Sequence, residues 1–214
     1  MKRLIALGLM AGALLGSAQA EKAPQPWLRP FVGLGYSFGG NTIQHTTLTP
    51  QTTSIHYEDD ISAGAGLELS AGLALRIPNS PFSLRGSVGH HVDGSHGISL
   101  QSSFWRTPFE AGVQWHVNER GTLGFGWRHA VRAKYQSKGG TCTDQATNTQ
   151  YACPDADVWL SGSHGWYLEG EWAMYPSWGL RVQAVHEQFT VKPPLDPVRF
   201  NGDHIGIMTI FYFN

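Results

Sequence analysis

Charge is scarce in this chain. Only 14% of its 214 residues are Asp, Glu, Lys or Arg, against about a quarter in an ordinary soluble domain. Neither sign is in excess: Lys and Arg total 15 and Asp and Glu 16, which excludes the basic footprint that nucleic-acid binding needs. Cysteine is almost missing. Cys142 and Cys153 stand alone, too few ligands for a structural metal centre. No apolar run reaches the roughly 20 residues that a membrane-spanning helix requires.

The apolar run 4–15 instead has the setting of a secretory leader. Lys2 and Arg3 precede it and Ala18-Gln19-Ala20 follows as an A-x-A cleavage site. Residues 1–20 are therefore read as a cleaved signal peptide and 21–214 as the mature chain, with 13 basic residues against 16 acidic. Its length suits one domain. An exported chain with no spanning helix is either soluble in the periplasm or crosses a membrane as a closed β-barrel. In that oxidising compartment Cys142 and Cys153, ten residues apart in a polar stretch, are expected to form one local disulfide, worth about 3 kcal/mol in the chain-entropy model.

What the chain has is glycine (26 residues), aromatics (12%) and a two-residue rhythm. Apolar and polar residues alternate over 29–39, 63–77, 82–92, 104–117, 122–135, 158–174 and 179–189, the signature of strands with one face in an apolar medium. In 63–77, Leu67, Leu69, Ala71, Leu73 and Leu75 oppose Glu68, Ser70, Gly72, Ala74 and Arg76. The last segment, 204–214, is apolar on both faces and its orientation stays open. Short connections rich in turn formers (78–81, 118–121, 175–178) alternate with long polar ones (40–62, 93–103, 136–157, 190–203). That is the rhythm of outer-membrane barrels, with the short turns in the periplasm. Aromatics gather at strand ends, Trp27, Trp172, Tyr175, Trp178, Phe211 and Phe213 at one and Tyr36, Phe38, Phe104, Trp105, Tyr135 and Trp159 at the other, where interfacial rings are expected.

The leader, the alternating segments, the PFVGLGYSFGG stretch at 30–40 and the aromatic C-terminal strand resemble the small eight-stranded outer-membrane barrels of the OmpA/OmpX type. The resemblance implies an all-β, eight-stranded antiparallel transmembrane barrel in the bacterial outer membrane. Implied partners are outer-membrane lipids, lipopolysaccharide and, during insertion, the barrel-assembly machinery; a monomer is expected. Function follows less directly, since one barrel hosts anchors, adhesins and lipid-modifying enzymes.

Chemistry is expected first in the lumen. Glu68, Arg76, Arg85, Glu110, Arg128, Arg132, Glu169, Glu171 and Arg181 fall on polar faces and should pair inside a barrel whose bore side chains just fill. Among the polar clusters, His90-His91-Val92-Asp93-Gly94-Ser95-His96 and His56-Tyr57-Glu58-Asp59-Asp60 carry metal-ligating types, but His90 and His91 should point to opposite sides of a strand. The same alternation separates Ser163 from His164 and Ser95 from His96. Lipid A deacylase barrels carry a His-x-Ser pair, and His129-Ala130-Val131 and His186-Glu187-Gln188 lack the serine. The sequence thus points to no catalytic, cofactor or metal residues and to a non-enzymatic envelope protein acting through its surface loops. A lipid A acyl hydrolase and a narrow channel are the alternatives.

Overall fold

A computed structural model of the chain describes residues 26–48, 57–96, 100–139, 141–144, 149–152, 155–191 and 199–213. The leader and Cys153 lie outside the described residues. The alternating segments form eight long strands: β1 (Leu28–Gly39), β2 (Gly66–Arg76), β3 (Phe82–His96), β4 (Leu100–His116), β5 (Gly121–Gly139), β6 (Ser163–Tyr175), β7 (Trp178–Thr190) and β8 (His204–Tyr212). Each pairs antiparallel with its sequence neighbours. β8 then closes on β1, from Phe31 opposite Tyr212 to Gly39 opposite His204. The ring has no open edge, the condition for carrying polar backbone through lipid. This is the eight-stranded architecture that the OmpA/OmpX resemblance implies.

Alternation sorts side chains between two media. Leu69, Phe125 and Leu168 point outward and are 57%, 59% and 51% exposed, while Glu169, next to Leu168, points inward at 6%. Large apolar residues of this kind stand outward on all eight strands. A soluble monomer rarely exposes a continuous apolar patch beyond a few hundred Å². A closed ring with an apolar outside and a charged inside is a transmembrane β-barrel. In β8, Ile205, Ile207 and Phe211 face out, whereas Met208 and Ile210 join Phe31 in a buried cluster inside.

One end of the ring carries the short turns. In the β2–β3 turn Asn79 adopts a left-handed φ of 56°, which its short polar side chain tolerates better than most. In the β4–β5 turn the Asn118 side-chain oxygen accepts from the amides of Arg120 (2.9 Å) and Gly121 (2.6 Å).

At the other end the described parts of the long connections carry pairing of their own. Thr42–Leu48 pairs with Tyr57–Ser62 as a hairpin, and Thr141–Asp144 pairs with Thr149–Ala152. β3 and β4 stay paired out to His96 and Gln101, so the stretch taken for a loop at 93–103 is mostly strand. These polar segments are rich in threonine and serine, and β-pairing outside lipid needs no apolar face. The expected strand 158–174 is also interrupted. Ala156–Leu160 pairs with the far end of β5, and β6 begins only at Ser163. Between them lies Gly162, where a Cβ would come within 2.9 Å of the Ala130 carbonyl oxygen.

Candidate functional site

The lumen holds the densest chemistry, and its charges meet across the ring. Toward the turn end, Arg85 on β3 reaches Glu171 on β6 at 2.7 Å, with Glu169 at 3.7 Å. The Tyr212 hydroxyl donates to Glu171 at 2.6 Å, and the Arg85 guanidinium lies 4.1 Å from the Phe31 ring centre. In the middle, Arg181 bonds Glu169 at 3.2 Å and Arg128 bonds Glu110 at 2.5 Å. Gln114 and Gln183 donate to Glu169 (2.8 Å) and Glu110 (3.1 Å). Toward the loop end, Arg128 also faces Glu68 at 3.4 Å and Glu187 at 3.6 Å, and Arg106 faces Glu187 at 3.3 Å.

Arg85, Arg106, Arg128 and Arg181 thus interleave with Glu68, Glu110, Glu169, Glu171 and Glu187, all buried. A buried charge without a partner costs several kcal/mol. Here part of the surplus carboxylate capacity is met by the glutamines, by Tyr212 and by Ser163, which donates to Glu187 at 2.9 Å, while Glu187 Oε1 makes no hydrogen bond. Arg85 to Glu171 and Arg128 to Glu68 join strands that share no ladder, so the ion pairs cross-brace the ring.

Above the charges the bore is closed by apolar side chains. Ile61, Phe104, Leu160 and Phe189 are 2% exposed or less and form one cluster, with Phe104 and Phe189 edge to face at 5.6 Å. Phe104 is therefore part of an internal lid rather than of the interfacial ring to which its position near a strand end assigns it. Arg106 sits 5.6 Å and 5.5 Å from these two ring centres.

Two sequence assignments change. Arg132 is exposed, not luminal. Between the pairs Trp105–Lys134 and Thr107–Val131 the register shifts, so Arg132 and Ala133 together oppose Arg106. Arg132 takes a left-handed φ of 53° in this bulge, and the alternation resumes with Ala133 inside. Arg76 lies at the mouth of the turn end, in the cup that Glu171 also lines, and among the described residues it forms no ion pair with the stack. Arg106, Glu187 and His204 belong to the site and were missed, while His91, named in the cluster 90–96, lies in the lumen beside Glu68. Arg106 lies on the same parity as Glu110, and Glu187 on that of Arg181, so carrying the two-residue count further along each strand finds both.

The lumen contains arrangements that look catalytic or metal-binding. His91 Nε2 is 3.0 Å from the Ser37 hydroxyl oxygen, and His91 Nδ1 is 3.5 Å from Glu68. The hydrogen bonds run the wrong way for a Ser-His-Glu triad. Arg106 donates to Nδ1 at 2.8 Å and Nε2–H donates to the Ala65 carbonyl at 2.9 Å, so the nitrogen facing Ser37 carries a proton and cannot act as its base. Glu68, His91 and His204 also converge closely enough to share an ion. However, Arg106 occupies His91 Nδ1, and His204 Nδ1–H is given to the Gly202 carbonyl at 2.7 Å. With Arg106 and Arg128 alongside, the position already holds cationic guanidinium groups.

The other candidate sets are not assembled. His90 points outward against Trp105, away from His91. The side chains of His56 to Asp60 and of Ser95 and His96 lie outside the described residues. Ser163 is fully buried on Glu187, His164 stacks outward on His129 at 4.3 Å, and Glu169 is engaged by Gln114 and Arg181. His129 donates through Nδ1 to the Ser163 carbonyl and His186 pairs with Asp203 at 2.8 Å. Among the described residues no serine hydroxyl bonds either outward histidine.

No family model matches the chain, and no curated protein matches it. Among solved structures it is similar to Ail, the attachment invasion locus protein of Yersinia pestis, crystallised with the heparin analogue sucrose octasulfate: 13% identity, TM-score 0.45, covering 87% of this chain and 99% of that one. It is also similar to Neisserial surface protein A, at 8% identity and TM-score 0.44, covering 88% and 98%. A third similar structure is the outer membrane protease OmpT of Escherichia coli, at 6% identity and TM-score 0.33, covering 86% and 90%. The chain's own closed ring and apolar belt are those of an outer-membrane barrel.

Proposed function

We propose that the chain is a non-enzymatic outer-membrane protein that stabilises the envelope or binds external molecules through its loop end. In this reading residues 1–20 are removed on export and the barrel-assembly machinery inserts the chain as a monomer. The short turns then face the periplasm, and lipid tails and lipopolysaccharide surround the belt. The observation that carries the reading is the filled bore: a cross-braced charge stack under an apolar lid of Ile61, Phe104, Leu160 and Phe189. Charges paired across the ring beneath packed apolar side chains disfavour the narrow channel. Against the hydrolase alternative, no serine hydroxyl among the described residues bonds His129, His164 or His186, whereas recognition commonly resides in loops held on a rigid scaffold.

The test has two arms. The purified barrel in a planar bilayer is expected to give no conductance steps above the protein-free baseline, and reproducible steps would restore the channel. Lipid A from cells with and without expression is expected to have identical acyl chains by mass spectrometry. Loss of a chain that depends on a single serine would replace the present reading with a hydrolase.

The cysteines give a second expected result. Cys142 stands opposite Tyr151 in the hairpin of Thr141–Asp144 and Thr149–Ala152, and Cys153 is outside the described residues. We propose that they form a disulfide that staples this loop. Non-reducing peptide mapping should recover them linked, and two free thiols in membrane-purified protein would refute the staple.

A further inference from the structure

The turn end of the lumen opens into a cup of about 70 Å³. Three guanidinium groups line it, Arg29 from β1, Arg76 from β2 and Arg120 from the β4–β5 turn. Against them stand two carboxylates, Glu119 and Glu171. Glu171 is already held by Arg85 at 2.7 Å and by the Tyr212 hydroxyl at 2.6 Å. Among the described residues neither Arg76 nor Arg120 pairs with a carboxylate. Arg29 donates to the Pro176 carbonyl and lies 4.2 Å from the Tyr212 ring centre, while its Nε is buried without a partner.

Arg29 and Arg76 present their charge at the luminal mouth, with Arg120 exposed at its rim. Arg76 stands opposite Ser83 and Arg29 opposite Ala74, and Ser83 and Ala74 also line the cup. Phospholipid headgroups around the belt meet the outer face of the ring, so they are not what this cup is shaped to receive. Guanidinium forks match the geometry of carboxylate and phosphate oxygens and bond them with charge assistance. From these observations we infer that the turn-end cup binds a small oxyanion, a phosphate or carboxylate group entering from that side. The site stands on the cup itself; only its assignment to the periplasm rests on the orientation proposed above.

The experiment uses the full mature barrel, nitrogen-15 labelled and folded in detergent micelles, titrated with inorganic phosphate against chloride at matched ionic strength. The expected result is saturable amide shifts confined to the segments that line the cup, 26–29, 74–76, 83, 114–122, 171–178 and 212. Arg76→Gln with Arg120→Gln should weaken binding by about tenfold or more, while Arg132→Gln at the far end should leave it unchanged. Heat-modifiable gel migration and unshifted loop-end amides establish that each variant is folded. A second arm titrates tri-alanine with a free C-terminal carboxylate against its amide. Saturation by phosphate alone identifies a free ion, and saturation by the free-acid peptide alone identifies a chain terminus. Shifts equal to those of chloride, equal binding of the amide, or an unaffected double variant would overturn the site. None of these outcomes depends on which side of the membrane the cup faces.

Discussion

Arg128→Met is expected to destabilise the barrel by about 3–5 kcal/mol, the cost of breaking a buried ion pair from one side. Arg128 is wholly buried and contacts Glu110 at 2.5 Å, Glu68 at 3.4 Å and Glu187 at 3.6 Å. Methionine replaces the stem with similar bulk but leaves those carboxylates facing one another. Arg181 is then the nearest remaining cation to Glu110, at 4.0 Å. The check is the urea midpoint followed by heat-modifiable migration, compared with Arg132→Met four residues along the same strand. That exposed position should change stability by no more than about 0.5 kcal/mol. Adding Glu110→Gln to Arg128→Met should recover part of the loss by removing a stranded charge. Equal midpoints for the Arg128 and Arg132 variants would show that the stack contributes no net stability.

The contrast between these two arginines also marks where sequence periodicity stops being informative. The period of two is a property of an uninterrupted strand, and it assigns Glu68, Arg85, Glu110, Arg128, Glu169, Glu171 and Arg181 to one medium and Leu69, Phe125 and Leu168 to the other. One inserted residue at the Arg132 bulge reverses the parity, and nothing in the local composition announces it. β8 was illegible for a different reason. Its luminal residues Met208 and Ile210 pack on Phe31, so the inward side chains are apolar too and the two faces of the strand look alike. The lid was hidden because Phe104 and Phe189 become neighbours only when β4 and β7 face each other across the ring. Strand count, order and closure needed only local alternation and the rhythm of connections. Pairings such as Arg106 with Glu187 needed the ring itself.

That division bears on what the barrel can do. In the bore the buried charges engage one another, and the Ser37–His91–Glu68 resemblance to a triad fails on proton position rather than on distance. Surfaces remain: the belt, the loop end with its paired extensions, and the turn-end mouth. Of these the belt makes the strongest physical demand, because its sign depends on the solvent around it.

Leu168→Arg reads that sign directly. In water, an outward leucine 51% exposed could become arginine with a change within about 0.5 kcal/mol, as at most surface positions. In lipid the same change places a charge in hydrocarbon, costing about 2–4 kcal/mol near the midplane and about 0–1 kcal/mol near an interface. Leu168 lies near the centre of β6, and Tyr175, 63% exposed, ends the same strand. Leu168→Arg should therefore lose about 2–4 kcal/mol when folded into liposomes, and Tyr175→Arg no more than about 1 kcal/mol. Equilibrium denaturation in guanidinium, followed by tryptophan fluorescence, measures both. A flat profile along the strand, with Leu168→Arg as stable as Tyr175→Arg, would mean that lipid does not surround this face.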